Sequence, residues 1–128
     1  MSYLLDTHTF LWFVSGDKKL PKAAKEVISD IHQTCFISAA SLWEITIKLQ
    51  IGKLDLSIPL ADLFDFLERN QIEIIPINQA HLLVLSQLPK HHSDPFDRLI
   101  LSQAMAEDLT LISRDKEFKK YKAKLKWA

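Results

Sequence analysis

Glycine is nearly absent from this chain of 128 residues: there are 2, alongside 5 prolines. So little of either excludes collagen-like repeats, Gly-rich linkers and low-complexity disorder. The single cysteine, Cys35, excludes an internal disulfide, and its apolar neighbours suit a small buried thiol. Net charge is missing too. Sixteen basic residues balance sixteen acidic ones, which argues against a strongly cationic protein that coats duplexes but leaves room for a local basic patch. No apolar run approaches the roughly 18 residues of a membrane span. The start, MSYLLDTHTF, lacks the basic region of a signal peptide, so a cytoplasmic protein with no membrane partner is expected.

What is present is apolar and periodic. At 48% hydrophobic residues the chain can bury a proper core, and its length fits one domain over residues 1–128. Tyr3 to Leu5 reads as a first strand, and a helical pattern through Leu11, Trp12 and Val14 stops at Gly16. Pro21 opens a second helix whose buried face would take Ala24, Val27, Ile28 and Ile31. Thr34 to Ile37 has strand character, and Ser38 can cap a helix over Ala39 to about Ile51, with Gly52 as its terminating glycine. Leu60 to Asn70 is again helical, and Glu73 to Ile77 is a strand whose proline favours a sheet edge. A helix follows from Asn78 through Leu85, another from Asp94 to about Glu107, and a fourth strand at 109–113. Lys116, Lys119, Lys120, Lys122, Lys124 and Lys126 then crowd the end, as a solvated tail or as a contact for phosphates. Short apolar strands separated by helices indicate an α/β fold: three layers, with a mostly parallel sheet of four or five strands between helices.

In such a sheet chemistry gathers beyond the carboxyl ends of the strands. Asp6 directly follows the first strand, and Asp115 comes two residues after the fourth, in LISRD. In the stretch HHSDPFDRLIL, Asp94 and Asp97 begin the helix leading into that fourth strand, and a crossover helix would place them at the same edge. Glu44 lies six residues past Ser38, about 9 Å along a helix, but helical side chains lean toward the N-terminus and glutamate is long. Four ionised carboxylates about 5 Å apart would repel by roughly 3 kcal/mol per pair at an effective dielectric of 20, on the order of 20 kcal/mol in all. Either some of these acids stay protonated or divalent cations sit among them. Oxygen ligands suit Mg²⁺ or Mn²⁺ rather than zinc, and the histidines and lone cysteine do not have zinc spacing.

Four stretches in order, LLDTH, SAASLWEITIKLQIGKL, DPFDRLILSQAMAEDLTLISRD and KEF, resemble the PIN domains of VapC-type toxins over nearly the whole chain. The resemblance implies a metal-dependent endoribonuclease, the toxin of a type II toxin–antitoxin pair. It implies Mg²⁺ or Mn²⁺ as cofactor, and RNA, a cognate antitoxin and a second copy of the chain as partners. It carries an acidic quartet onto Asp6, Glu44, Asp97 and Asp115, which would be both catalytic and metal-ligating, with Asp94 a less firmly fixed further ligand. Thr7, Arg98 and Ser113 match polar positions flanking the quartet. By analogy with related metallonucleases, the product would carry a 5′-phosphate.

Each of these residues also has a plainer explanation. Asp94 and Asp115 can be helix caps, Asp97 an acid at the third helical position, and Asp6 a turn former. Glu44 can be an exposed ion pair with Lys48. His91 and His92 read as a solvated loop pair, His8 as a site-lining or surface residue, and Trp12 and Phe13 as packing residues. The third helix carries a second apolar stripe, Trp43, Ile47 and Ile51, which is either core or a surface for a subunit or antitoxin. Two other functions compete with the nuclease: a non-catalytic binding module and a receiver-like signalling domain. A receiver needs an aspartate after the third strand, where this chain has IIPINQ.

Overall fold

The computed structural model describes residues 1–127. Five parallel strands form one sheet: β1 (Ser2–Leu5), β2 (Thr34–Ser38), β3 (Ile72–Ile75), β4 (Thr110–Ile112) and β5 (Leu125–Lys126), in the order β3-β2-β1-β4-β5. Six α-helices accompany them: α1 (Thr7–Ser15), α2 (Lys22–Ser29), α3 (Ala39–Gln50), α4 (Leu60–Arg69), α5 (Gln79–Ser86) and α6 (Pro95–Ala106). A 3₁₀ helix, Lys116–Lys120, links β4 to β5.

Alternation along the strands divides the core in two. Tyr3 and Leu5 of β1, Cys35 and Ile37 of β2 and Ile112 of β4 join Phe10, Ile45 and Leu63 on one face. Leu4 and Leu111 face the other way, toward Ile100, Leu101, Ala104 and Phe118. The register places Leu4 beside Leu111 and Leu5 beside Ile112, so like faces meet across neighbouring strands. This is the expected three-layer α/β/α arrangement.

Helix ends follow the local chemistry. Gly16 (φ 68°) and Gly52 (φ 73°) take the left-handed conformation just past α1 and α3. With no further glycine available, Gln71 (φ 56°) and Asp108 (φ 54°) adopt it after α4 and α6. Pro21 and Pro59 stand just before α2 and α4 in extended conformation.

Three sequence expectations need correction. The second helix ends at Ser29, so Ile31 lies outside it and is 75% exposed rather than buried. The third strand ends at Ile75, because Pro76 has no N–H to continue the ladder; it does lie at the sheet edge. The lysine-rich end is no mere solvated tail. Leu125 and Lys126 form β5 beside β4, Phe118 and Tyr121 are buried, and Lys124 pairs with Asp108 at 2.9 Å. Alternating lysines hid a short, half-buried edge strand whose outward charges keep further strands from pairing with it.

Candidate functional site

Three adjacent strands deliver side chains to one edge of the sheet. β1 is followed by Asp6, β2 ends in Ser38 and opens α3, and β4 is followed by Ser113. The Asp6 amide continues the ladder by donating to the Ile112 carbonyl at 3.2 Å. Its carboxylate then does two things: Oδ1 accepts the Thr9 N–H at 2.8 Å, capping α1, while Oδ2 accepts the Ser113 hydroxyl. Thr9 also donates its hydroxyl to the Ile112 carbonyl at 2.9 Å, tying the start of α1 to the end of β4. Burial raises the pKa of the Asp6 carboxyl, and the bonds from Ser113 and Thr9 oppose that rise.

Glu44 reaches the same edge from the second turn of α3. It is 4% exposed. Thr7 Oγ lies 2.7 Å from Glu44 Oε1 and 2.9 Å from Ser41 Oγ. A carboxylate accepts only, so the one Thr7 proton goes to Glu44, leaving Ser41 to donate to Thr7. Lys48 holds the other oxygen at 2.8 Å. The expected Glu44–Lys48 pair therefore exists, but its acid is buried at the strand ends while its base is half exposed.

The start of α6 brings Asp94 and Asp97, and the 3₁₀ helix after β4 brings Asp115. Asp94 caps it, accepting the N–H groups of Phe96 and Asp97 at 2.8 and 3.2 Å, with Pro95 in the first turn. Asp97 has no such local partner. Partial burial, with the charges of Asp94, Glu44 and Asp6 around it, pushes its carboxyl up to about 7, against the lowering influence of His92. Asp115 caps the 3₁₀ helix through the Glu117 N–H at 2.9 Å, and its own amide donates to Ser113 Oγ at 3.0 Å. Ser113 thus bridges Asp6 and Asp115.

These strand and helix ends make a recognisable whole. A family model described as "PIN domain" matches residues 3–124. The chain belongs to the PIN domain family. Its fold is similar to VapBC2 from Rickettsia felis bound to a promoter DNA fragment (TM-score 0.76, 23% identity, 100% of both chains). It is also similar to DNA-bound VapBC from Salmonella typhimurium (TM-score 0.75, 17% identity, 98% of this chain and 97% of that one). VapBC-1 from nontypeable Haemophilus influenzae matches at TM-score 0.71 and 20% identity, over 98% and 97% of the two chains. At these identities the likeness is one of fold. No curated protein matches the sequence significantly.

Within this PIN domain the structure brings Asp6, Glu44, Asp97 and Asp115 to one edge, with Thr7 and Ser113 bonded to them. Asp94 stands beside Asp97 as a cap. Arg98 bonds to the backbone of a neighbouring loop rather than to an acid. Its guanidinium donates to the carbonyls of Leu88, Pro89 and His92 at 3.2, 3.1 and 3.4 Å, fastening the loop ahead of α6.

His92 overturns its reading as a solvated loop residue. It stacks on Phe118 (centroids 4.6 Å apart, planes at 19°), and its Nε2 lies 2.9 Å from Asp115 Oδ2. Tyr121 Oη accepts the N–H groups of His91 and His92, both at 3.0 Å, and lies 3.2 Å from His92 Nδ1. With its lone pairs so engaged, the phenol has its proton to donate to Nδ1, which in the neutral imidazole puts the ring proton on Nε2, facing Asp115. Ligand atoms of His92, Asp97 and Asp115 lie within 4.8 Å of one another, but the imidazole spends its lone pair on Tyr121. The carboxylates are left to hold a cation. His92 and Tyr121 are 29 residues apart, and Tyr121 sits in the segment read as a tail, so no sequence spacing announces them.

The repulsion expected among the acids is relieved in specific ways. Lys48 offsets Glu44, serine and threonine hydroxyls serve Asp6 and Glu44, His92 serves Asp115, and Asp97 holds its proton up to about pH 7. A carboxyl kept protonated by burial and by neighbouring acids is a place where a divalent cation replaces a proton favourably. The donor set, carboxylate oxygens in a partly open pocket, fits Mg²⁺ or Mn²⁺. The receiver alternative loses ground, since β3 lies at the sheet edge and is followed by Pro76, Ile77 and Asn78.

Proposed function

We propose that this PIN domain is a Mg²⁺- or Mn²⁺-dependent endoribonuclease and the toxin of a toxin–antitoxin pair. One observation carries the reading: Asp97 lies at the strand ends close to Asp115, its carboxyl raised to about 7 by burial and then by the charges of Asp94, Glu44 and Asp6. The similar VapBC structures support the antitoxin partner.

Asp97 and Asp115 would hold the cation, with Asp6 and Glu44 completing the set directly or through water. The cation supplies positive charge against phosphoryl oxygens and acidifies water. The chain's own groups do the positioning. Ser113 orients Asp6, Thr7 and Lys48 orient Glu44, and His92 orients Asp115. Lys48, half exposed above Glu44, can also meet a substrate phosphate. Attack by water rather than by the 2′-hydroxyl, with the 3′-oxygen as leaving group, would leave a 5′-phosphate and a 3′-hydroxyl.

The second apolar stripe of α3 supports a protein partner. Leu42 and Ile45 are buried, whereas Trp43 is 60% and Ile51 57% exposed, so this face is offered to an antitoxin or to a second copy in a homodimer. Among the described residues no helix is long and apolar enough to cross a membrane.

The test is cleavage of a single-stranded RNA by purified protein. Cutting with Mg²⁺ or Mn²⁺ that stops in EDTA and leaves 5′-phosphate ends supports the reading. Cutting that persists in EDTA, or 2′,3′-cyclic ends, removes it.

A further inference from the structure

Beside the acids lies an open groove of about 610 Å³, lined by Asp6 and Asp115 together with His8, Trp12, Trp127, Arg114 and Lys116. The two indoles come from opposite ends of the chain and lie with centroids 5.9 Å apart and planes at 58°. Both are partly exposed. Arg114 and Lys19 place cationic groups 5.9 and 5.8 Å from the Trp12 ring. Trp127 is held there by the fifth strand: Leu125 and Lys126 pair with β4, and the Ser113 amide donates to the Lys126 carbonyl at 3.2 Å. The backbone that places Ser113 between Asp6 and Asp115 therefore also fixes the second indole.

We propose that Trp12 and Trp127 form a stacking subsite for one unpaired base of the RNA strand, next to the phosphate that meets the carboxylates, with Arg114 and Lys116 on the strand's backbone. This rests on the ribonuclease reading and names how its substrate is held. With zero net charge the protein has no general attraction for polyanions, so affinity must come from local features. Aromatic faces edged by cations, continuous with the acidic pocket, are the chemistry that holds single strands irrespective of base. A duplex keeps its bases inside its own stack and cannot use them, so the subsite selects single-stranded RNA.

The test is binding, with cleavage followed separately. A fluorescein-labelled, unstructured RNA decamer is titrated in Ca²⁺ against the wild type, Trp127→Ala and Trp127→Phe, and tryptophan emission is followed in Trp43→Phe protein. The subsite predicts a Kd about tenfold weaker for Trp127→Ala, near wild-type binding for Trp127→Phe, and quenching by the decamer but not by its duplex. Equal Kd for Trp127→Ala and wild type, or emission indifferent to the decamer, overturns it and leaves the groove to a protein partner. Cleavage in Mg²⁺ keeps the two readings apart: a wild type that cuts while Trp127→Ala binds normally loses the subsite alone. A wild type that binds with quenching yet never cuts retains the subsite and loses the nuclease.

Discussion

The Tyr121 hydroxyl lies 3.2 Å from Nδ1 of His92, and that contact places the proton of the neutral imidazole on Nε2, which faces Asp115. Tyr121→Phe removes the donor to Nδ1 and leaves the His91 and His92 amides without their acceptor. A loss of about 1 to 3 kcal/mol in stability is expected by urea denaturation. RNA cleavage should fall mainly through kcat, because Asp115 loses its oriented partner while Trp12, Trp127, Arg114 and Lys116 of the groove are left in place.

Asp97 gives the cation-free protein a definite pH dependence. Its folded pKa, about 7, lies above the ordinary aspartate value of 3.8, so the folded state binds the proton more tightly than the unfolded chain. The stability this contributes is fully present below pH 3.8 and is lost as pH rises through about 7; Asp6, also raised, acts in the same direction. In EDTA at pH 8, Asp97→Asn should melt higher than wild type, on the order of 5 °C, and the difference should shrink by pH 5. Thermal melts at the two pH values check this. Added Mn²⁺ should raise the wild-type Tm at pH 8 and leave the variant unmoved.

Thr7 holds a buried carboxylate in place. Thr7→Val keeps the shape but takes the hydroxyl from Glu44 Oε1 and from Ser41. A cost of about 1.5 to 3 kcal/mol is expected, since a charged acceptor loses its donor. Thr7→Ser, which keeps the hydroxyl, should recover most of it in the same denaturation measurement.

Arg98 acts on a loop. Arg98→Gln, unable to span three carbonyls, should speed amide hydrogen exchange at His91 and His92 severalfold while leaving the β1 and β4 amides protected. Exchange read by NMR separates this local effect from global destabilisation.

Most of the fold was legible in the sequence because periodicity and helix punctuation agree. Gly16, Gly52, Ser38 and Asp94 end or begin helices where their chemistry demands. The positions of Asp6 and Asp115 after strands followed from topology. What escaped was set by tertiary partners: β5 exists through its pairing with β4, His92 is ordered by Phe118 and Tyr121, and Arg98 by carbonyls of a loop. Several acids proved to be caps and site residues at once. Asp6, Asp94 and Asp115 each cap a helix, and those helix starts converge on Asp97, so the plain and the functional readings describe the same geometry.

Calorimetric titration of Mn²⁺ at pH 8 into wild type, Asp94→Asn and Asp97→Asn tests the central claim most directly. A cation held by the converging acids predicts a saturable heat in the wild type, retained within a few fold by Asp94→Asn and abolished by Asp97→Asn. Equal binding by wild type and Asp97→Asn would contradict it.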